Sequence, residues 1–384
     1  MNPFWSKKRQ ELKEAAVRFA SGKLRYDTEE NDRSGVFSRD GWQACADFGL
    51  QGMFLPRRYG GLSLGALDMT AVLEGMGVGA RDNGLLFSIN APLWGCVGPI
   101  YRFGTPRQKT RFLKGLGNGS LVGALAATES ESGSDVFGLK TTARPEGASY
   151  VFNGSKAFVT NAPVADIFIV LARTGRGTKF CGLTCFLVER NTPGLSVGAA
   201  VEKMGLRTSP MADVSFCDCR VPKENIVGRE GNGAVVFQAI MEQERTFILA
   251  NSIGIRERLL EECRRFVSAR KIGGVALSKR QSLTHRIARM RIDLEESRLL
   301  LYRAAARQDA GASCVLEAAM AKISLSETYV RHCRDLLQIY GAYGYMTESG
   351  VERELRDALA STLYSGTSEV LLDMVAGFEG LLQF

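Results

Sequence analysis

The side chains able to do chemistry here are restricted in type, and that restriction narrows the reactions open to the chain. Among 384 residues there are two histidines, His285 and His332. That leaves little material for a histidine-based metal centre or a Ser-His-Asp arrangement. Nine cysteines are scattered without a disulfide-like framework, and their number is odd. They read as reduced, mostly buried small side chains, with no metal site. Cys217 and Cys219 alternate within an apolar stretch, as two residues on one face of a strand would. Chemistry therefore falls to carboxylates, backbone groups or a bound cofactor. The segment best suited to hold a cofactor runs from Ala126 through Thr128, Glu129, Gly133, Ser134 and Asp135 to Gly138. Hydroxyls and small residues alternate with glycine there, so backbone amides can approach phosphates or a polar ring edge.

Three further segments carry similar signals. Gly154 to Ala162 follows a strand and resembles a hairpin returning into a second strand, with Phe158 within it. Gln338 to Tyr345 is a glycine-punctuated break after a long helical pattern, and Leu363 to Val370 lies close to the end.

The elements that must position these segments fall into three zones. Residues 1–118 carry helical periodicities, as in Asp40 to Leu50, Ala66 to Gly77 and the run that starts at Pro106. Residues 119–230 hold short β-branched or aromatic runs bounded by turn residues. Examples are Ser149 to Phe152, Ile167 to Leu171, Thr184 to Val188 and Val214 to Phe216, which suggest an antiparallel barrel or sandwich. Residues 231–384 return to long amphipathic patterns, Arg256 to Arg270, Leu283 to Asp309 and Ala312 to Tyr340, which read as a helical bundle. The order is α+β with the strands in the middle.

Composition adds exclusions. Apolar residues make up 45% and charged residues 23% of the chain, an ordinary globular balance. The net charge of +8 is spread along the chain. It suits an acidic protein partner or a phosphorylated small molecule; no zinc-finger spacing or RNA-binding aromatic motif supports nucleic acid. No run of about 18 apolar residues occurs, so no membrane span is expected. The start, Met1 to Lys8, lacks a signal-peptide core, which makes the cytoplasm the expected address.

Taken in order, the four segments resemble the acyl-CoA dehydrogenase family of flavoproteins over nearly the whole chain. One family signature is met from Thr128-Glu129 through Gly133-Ser134-Asp135 to Gly138, with Ala127 in place of a larger aliphatic residue. A second is met by Gln338, Gly341, Gly344, Tyr345, Glu348, Arg353 and Asp357, with Ala342 in place of Gly or Ser. The resemblance implies a helical N-terminal domain, a middle β-barrel and a C-terminal four-helix bundle, with FAD between barrel and bundle. It implies a homo-oligomer, dimer or tetramer, sharing flavin sites. By motif, Leu125, Ala127, Thr128, Phe158, Val159 and Thr160 are expected at the flavin ring. Gly133 and Ser134 are expected along the flavin and the substrate's pantetheine path. Gln338, Ile339, Gly341 and Ala342 are expected at the adenine end, and Thr367, Ser368 and Glu369 near the pyrophosphate. Arg270 and Gln281 keep a further FAD segment whose middle departs from the family pattern as Lys271-Ile272-Gly273-Gly274.

The family reaction removes an α-proton and a β-hydride from an acyl thioester, and most members use a Glu directly before Gly-Thr as the base. Here that position is Ser365. Branched-chain members instead place the Glu on the first bundle helix before an Arg, and Glu244-Arg245 matches that position. The resemblance therefore implies Glu244 as the catalytic base, with Arg245, Ser365, Gly366 and Ser134 at the substrate. Glu242, two residues away on a helix, is expected to point elsewhere.

Segments Leu85 to Trp94, Phe158 to Asp166 and Ile339 to Glu348 most resemble members acting on carrier-protein thioesters in antibiotic biosynthesis. The expected substrate is an aminoacyl, prolyl-like group on an acyl or peptidyl carrier protein. A short branched-chain acyl-CoA, a carrier-bound hydroxyacyl or seryl-derived unit, and a non-catalytic interaction module are the alternatives.

Overall fold

The computed structural model describes residues 5–24, 26–175 and 180–381; Met1 to Phe4, read above for a signal-peptide core, lie outside them. The first zone is helical: α1 (Lys7–Lys23), α2 (Thr28–Ser34), α3 (Arg39–Asp47), α4 (Ala66–Gly79), α5 (Asn83–Pro92), α6 (Gly98–Phe103) and α7 (Pro106–Gly117). Local chemistry sets several starts. Asp82 accepts from the Leu85 amide ahead of α5, and Thr105 with Gln108 forms a reciprocal capping box ahead of the proline that opens α7.

Strands follow: β1 (Gly123–Ala126), β2 (Thr142–Glu146), β3 (Ser149–Thr160), β4 (Ile167–Arg173), β5 (Leu183–Glu189), β6 (Leu195–Val197), β7 (Met211–Pro222) and β8 (Ile226–Val227). They form an eight-stranded sheet in the order β6-β7-β3-β2-β4-β5-β8, with β1 parallel to β4. Phe152, Phe168, Val170, Phe186, Val214 and Phe216, drawn from β3, β4, β5 and β7, meet in one inner cluster. The Phe152 and Phe186 ring centres lie 4.8 Å apart although β2 and β4 stand between their strands, so the sheet is strongly coiled around this cluster. The opposite faces of β4 and β5, through Ile169, Leu171 and Leu187, pack on Ile100 and Leu113 of the first zone. Burial on both faces explains why these strands read as continuous apolar runs.

Two expectations fail here. Gly154 to Ala162 is no hairpin; Gly154 to Thr160 belong to the single long strand β3, and Asn161 and Ala162 follow its end. Gly154 (φ 141°) and Phe158 (φ 56°) absorb the irregularity as bulges against β7, so the chain runs straight on where a turn was read. Cys217 and Cys219 do not share a face either, since Cys217 is exposed and Cys219 buried. A one-residue slip in the β3–β7 register at Asp218 (φ 47°) flips the alternation. Among the described residues the cysteines form no disulfide.

The last zone holds α8 (Gly233–Phe247), α9 (Ala250–Ala269), the β9 (Lys271–Ile272) and β10 (Val275–Ala276) hairpin, α10 (Gln281–Asp309), α11 (Val315–Tyr340), α12 (Ala342–Tyr345), α13 (Val351–Leu359) and α14 (Ser368–Phe378). One hydrophobic core joins these helices to the first zone, because Met69, Leu73 and Met76 of α4 pack with Ile253, Leu294 and Leu325. Helices α4 and α9 touch backbone to backbone. A Cβ on Gly77 would lie 1.9 Å from the Asn251 carbonyl oxygen, and one on Gly254 equally near that of Glu74. Buried Glu74 ties the zones further, accepting from Lys13 Nζ (2.8 Å), Arg298 Nη2 (3.0 Å) and Tyr302 OH (3.0 Å). No helix among the described residues is long and apolar enough to cross a membrane.

Candidate active site

Helix α8 carries Glu242, Glu244 and Arg245, and the helical period sends the two glutamates different ways. Glu242 Oε1 accepts from the Cys314 amide (2.7 Å) and Ser313 Oγ (3.3 Å), closing the start of α11. Glu244 faces the turn before α14 instead, where Ser365 Oγ donates to its Oε1 at 2.5 Å. Ser365 and the Glu244 carboxylate are thus in direct contact. Arg245 Nε donates to the Ser365 carbonyl (3.0 Å), and its Nη1 lies 3.3 Å from Met374 Sδ. From α11, Lys322 Nζ donates to the Gly366 carbonyl (2.7 Å). Tyr364 packs on Phe87 with ring centres 4.7 Å apart.

Glu244 is half-buried. Desolvation raises its pKa above the ordinary carboxylate range, while the Ser365 hydroxyl, Arg245 and Lys322 pull it back without cancelling the rise. A carboxylate so placed is a stronger base than a solvated one and is suited to removing a proton from an activated carbon. His332 is buried in the bundle, where desolvation and then the Arg256 charge hold its pKa well below the usual imidazole value.

A second group of contacts builds the wall formed by the loop after β1 and by β3. Glu129 is its hub. Its carboxylate accepts from the Lys140 amide (2.7 Å), the Thr141 amide (2.9 Å), Thr141 Oγ1 (2.6 Å) and Lys156 Nζ (2.8 Å). Burial alone would raise its pKa, but the Lys156 and Thr141 bonds prevail and hold it at about 2. Lys156, fully buried, also donates to the Ala127 carbonyl (3.1 Å), and the Ala157 amide bonds the Thr128 carbonyl (2.9 Å). Loop and strand are therefore pinned side by side, which brings Thr128 next to Phe158. Phe158 stands out at 61% exposure on its left-handed backbone, and its amide donates to Asp213 Oδ1 (3.3 Å). Thr128, Thr160 and Leu125 are half-buried, Ala127 and Val159 buried, and Gly133 and Ser134 exposed. Val159 thus has its main chain, not its side chain, to offer a ligand.

The remaining expected positions lie in two other places. Thr367 caps α14, accepting from the Val370 amide at 3.3 Å, and Glu369 is exposed beside it. Ser368 is buried with its hydroxyl donating to Glu327. Gln338, exposed, lines a cleft of about 600 Å³ with Arg286, Arg331 and Arg334. Ile339 is buried, whereas Gly341 (φ 62°) and Ala342 are exposed. Arg270 ends α9 and Gln281 begins α10, both exposed. Between them Gly273 (φ 59°) and Gly274 (φ 79°) form the tip of the β9–β10 hairpin.

Family models for the N-terminal, middle and C-terminal domains of acyl-CoA dehydrogenase match residues 6–120, 124–219 and 231–378. An L-prolyl-[peptidyl-carrier protein] dehydrogenase from a Serratia species is 36% identical over 98% of this chain and 97% of that protein. The crystal structure of the prolyl acyl carrier protein oxidase AnaB superposes with a TM-score of 0.97 at 40% identity, covering 98% of this chain and 100% of that one. A structure described as PigA with FAD and proline gives a TM-score of 0.97 at 36% identity, covering 99% and 100%. Sequence and fold agree, and the chain belongs to the acyl-CoA dehydrogenase family.

Proposed function

We propose that this protein is an FAD-dependent dehydrogenase of an acyl thioester, and that its substrate is an L-prolyl group carried on an acyl or peptidyl carrier protein of secondary-metabolite biosynthesis. The observation that carries the chemistry is the 2.5 Å hydrogen bond between Ser365 and Glu244, a base relocated from one side of a contact to the other. The substrate class rests on relatives similar over nearly the whole chain, the prolyl-carrier-protein dehydrogenase and AnaB among them.

The residues present fit FAD. A flat aromatic ring suits exposed Phe158, and its polar edge suits the half-buried hydroxyls of Thr128 and Thr160. A Cβ at Gly133 would meet nothing within 4 Å, so main chain is accessible there. The α14 N-terminus with its Thr367 cap suits phosphate oxygens. Bound there, FAD supplies the acceptor for the hydride that leaves the substrate. The protein's own residues handle the proton. The thioester carbonyl acidifies the α-carbon, and Glu244, ionised, takes its proton. The Ser365 hydroxyl and the Arg245 charge steady the ionised form until it does. Exposed Ile272 and Val275 on the hairpin, with exposed Tyr343, Tyr345 and Met346, favour a second copy of the chain packing at this end.

Glu244 must be ionised to act, so kcat/KM is expected to rise with pH through a pKa above the ordinary carboxylate range. Ser365→Ala removes a donor to the ionised form, so that limb is expected to move to higher pH while the rate above it is largely kept. A stopped pH series on both proteins checks this. For the substrate, intact-mass spectrometry of carrier protein loaded with L-proline is expected to show loss of hydrogen pairs on incubation with the enzyme. Equal or faster oxidation of isovaleryl-CoA would overturn the carrier-bound reading in favour of a branched-chain acyl-CoA dehydrogenase.

A further inference from the structure

Lys322 stands outside the proton transfer just described, yet the fold keeps it fully buried. Burying an ammonium is costly unless it is paired. What this one touches is a main-chain carbonyl, that of Gly366 at 2.7 Å, and its Nζ also lies 5.9 Å from the Tyr364 ring centre. Burial lowers its pKa to about 8; Arg245 adds to the lowering, and Glu327, Glu244 and Glu369 oppose it.

The carbonyl belongs to a strained turn. Ser365 has φ 58° and Gly366 φ 94°, two successive left-handed residues. A left-handed backbone is unfavourable for a serine, so the surroundings must impose it. Two cations from different helices do so. Arg245 of α8 holds the Ser365 carbonyl, and Lys322 of α11 holds the next one. The product of that grip is the Ser365 hydroxyl at 2.5 Å from Glu244.

We propose that Lys322 is a positioning residue for the proton-abstracting carboxylate: it fixes, with Arg245, the left-handed turn that delivers the Ser365 hydroxyl to Glu244, and its charge helps keep that carboxylate ionised. This deepens the function proposed above and rests on Glu244 being the base. The charged and titratable groups around the ammonium are Glu244 and Arg245 from α8, Glu327 from its own helix, Tyr364 from the turn and Glu369 from α14.

The test uses purified holoenzymes of Lys322→Gln, which keeps a donor without the charge, Lys322→Met, which loses both, and Lys322→Arg, which keeps the charge. Two readouts are followed against pH: flavin reduction by carrier-bound L-proline, and the infrared band of the protonated Glu244 carboxyl, assigned by its loss in Glu244→Gln. In Lys322→Gln and Lys322→Met both titrations are expected to move to higher pH. On the acid limb the rate should fall by about tenfold or more at fixed pH, and Lys322→Arg should return toward wild type. If Lys322→Met does not fold, Lys322→Gln decides. A rate lowered equally at every pH, with the infrared titration unmoved, would overturn the proposal while leaving the base in place. Wild-type turnover by Glu244→Gln would instead remove the base reading beneath it.

Discussion

Glu244→Gln is expected to lower turnover of the carrier-bound thioester by about 10³-fold, with the yellow flavin spectrum retained. The amide keeps the shape and can still hydrogen-bond Ser365, so packing changes little, but it cannot accept a proton from carbon. Ser365 cannot stand in, because a serine hydroxyl is a poor base and its hydroxyl donates to Glu244 itself. Glu244→Asp keeps the carboxylate on a shorter stem and should lose less activity than the Gln variant. The acid limb of the wild-type pH profile should be absent in Glu244→Gln, since the group that generates it is gone. Steady-state rates across pH, with flavin content measured on each protein, check all of this.

Lys156→Met is expected to destabilise the protein by about 3–5 kcal/mol at neutral pH. The ammonium is fully buried, and removing it strands the Glu129 carboxylate and leaves the Ala127 carbonyl without its donor. The pH dependence follows from Glu129. Its pKa is about 2 in the folded chain, against about 4.3 for an unperturbed glutamate. The stability it contributes is present above the unfolded value and is lost as pH falls toward the folded one. The deficit of Lys156→Met should therefore shrink as the solution is acidified through that window. Urea unfolding at neutral and acid pH measures it. Flavin retention should fall as well, because the same contacts hold Thr128 beside Phe158.

Much of this was legible in the residues. The helix–strand–helix order, the loop after β1 and the exchange of Glu for Ser at position 365 could all be read without coordinates. So could the separation of Glu242 from Glu244, because it follows from helical period alone. What escaped notice were the buried lysines. For Lys156 the pattern was silent, because the bulge at Phe158 breaks the alternation that would have assigned it a face. Lys322 shares a helix face with buried Ala318, Ala319 and Leu325 at intervals of three and four. That signal was present, but a lone lysine in an apolar pattern gives no partner, and the partners of both lysines are distant in sequence. The misread hairpin and the cysteine pair failed for the same reason as Lys156. Bulges at Phe158 and Asp218 shift a strand by one residue, and strand alternation has no memory across such a shift.

The relocation of the base is tested most directly by mixing enzyme anaerobically with carrier protein bearing an L-prolyl thioester and following the flavin absorbance. The wild-type protein is expected to bleach, more slowly when the α-hydrogen is deuterium, and Glu244→Gln is expected to stay yellow over the same interval. Bleaching of Glu244→Gln at the wild-type rate would contradict it.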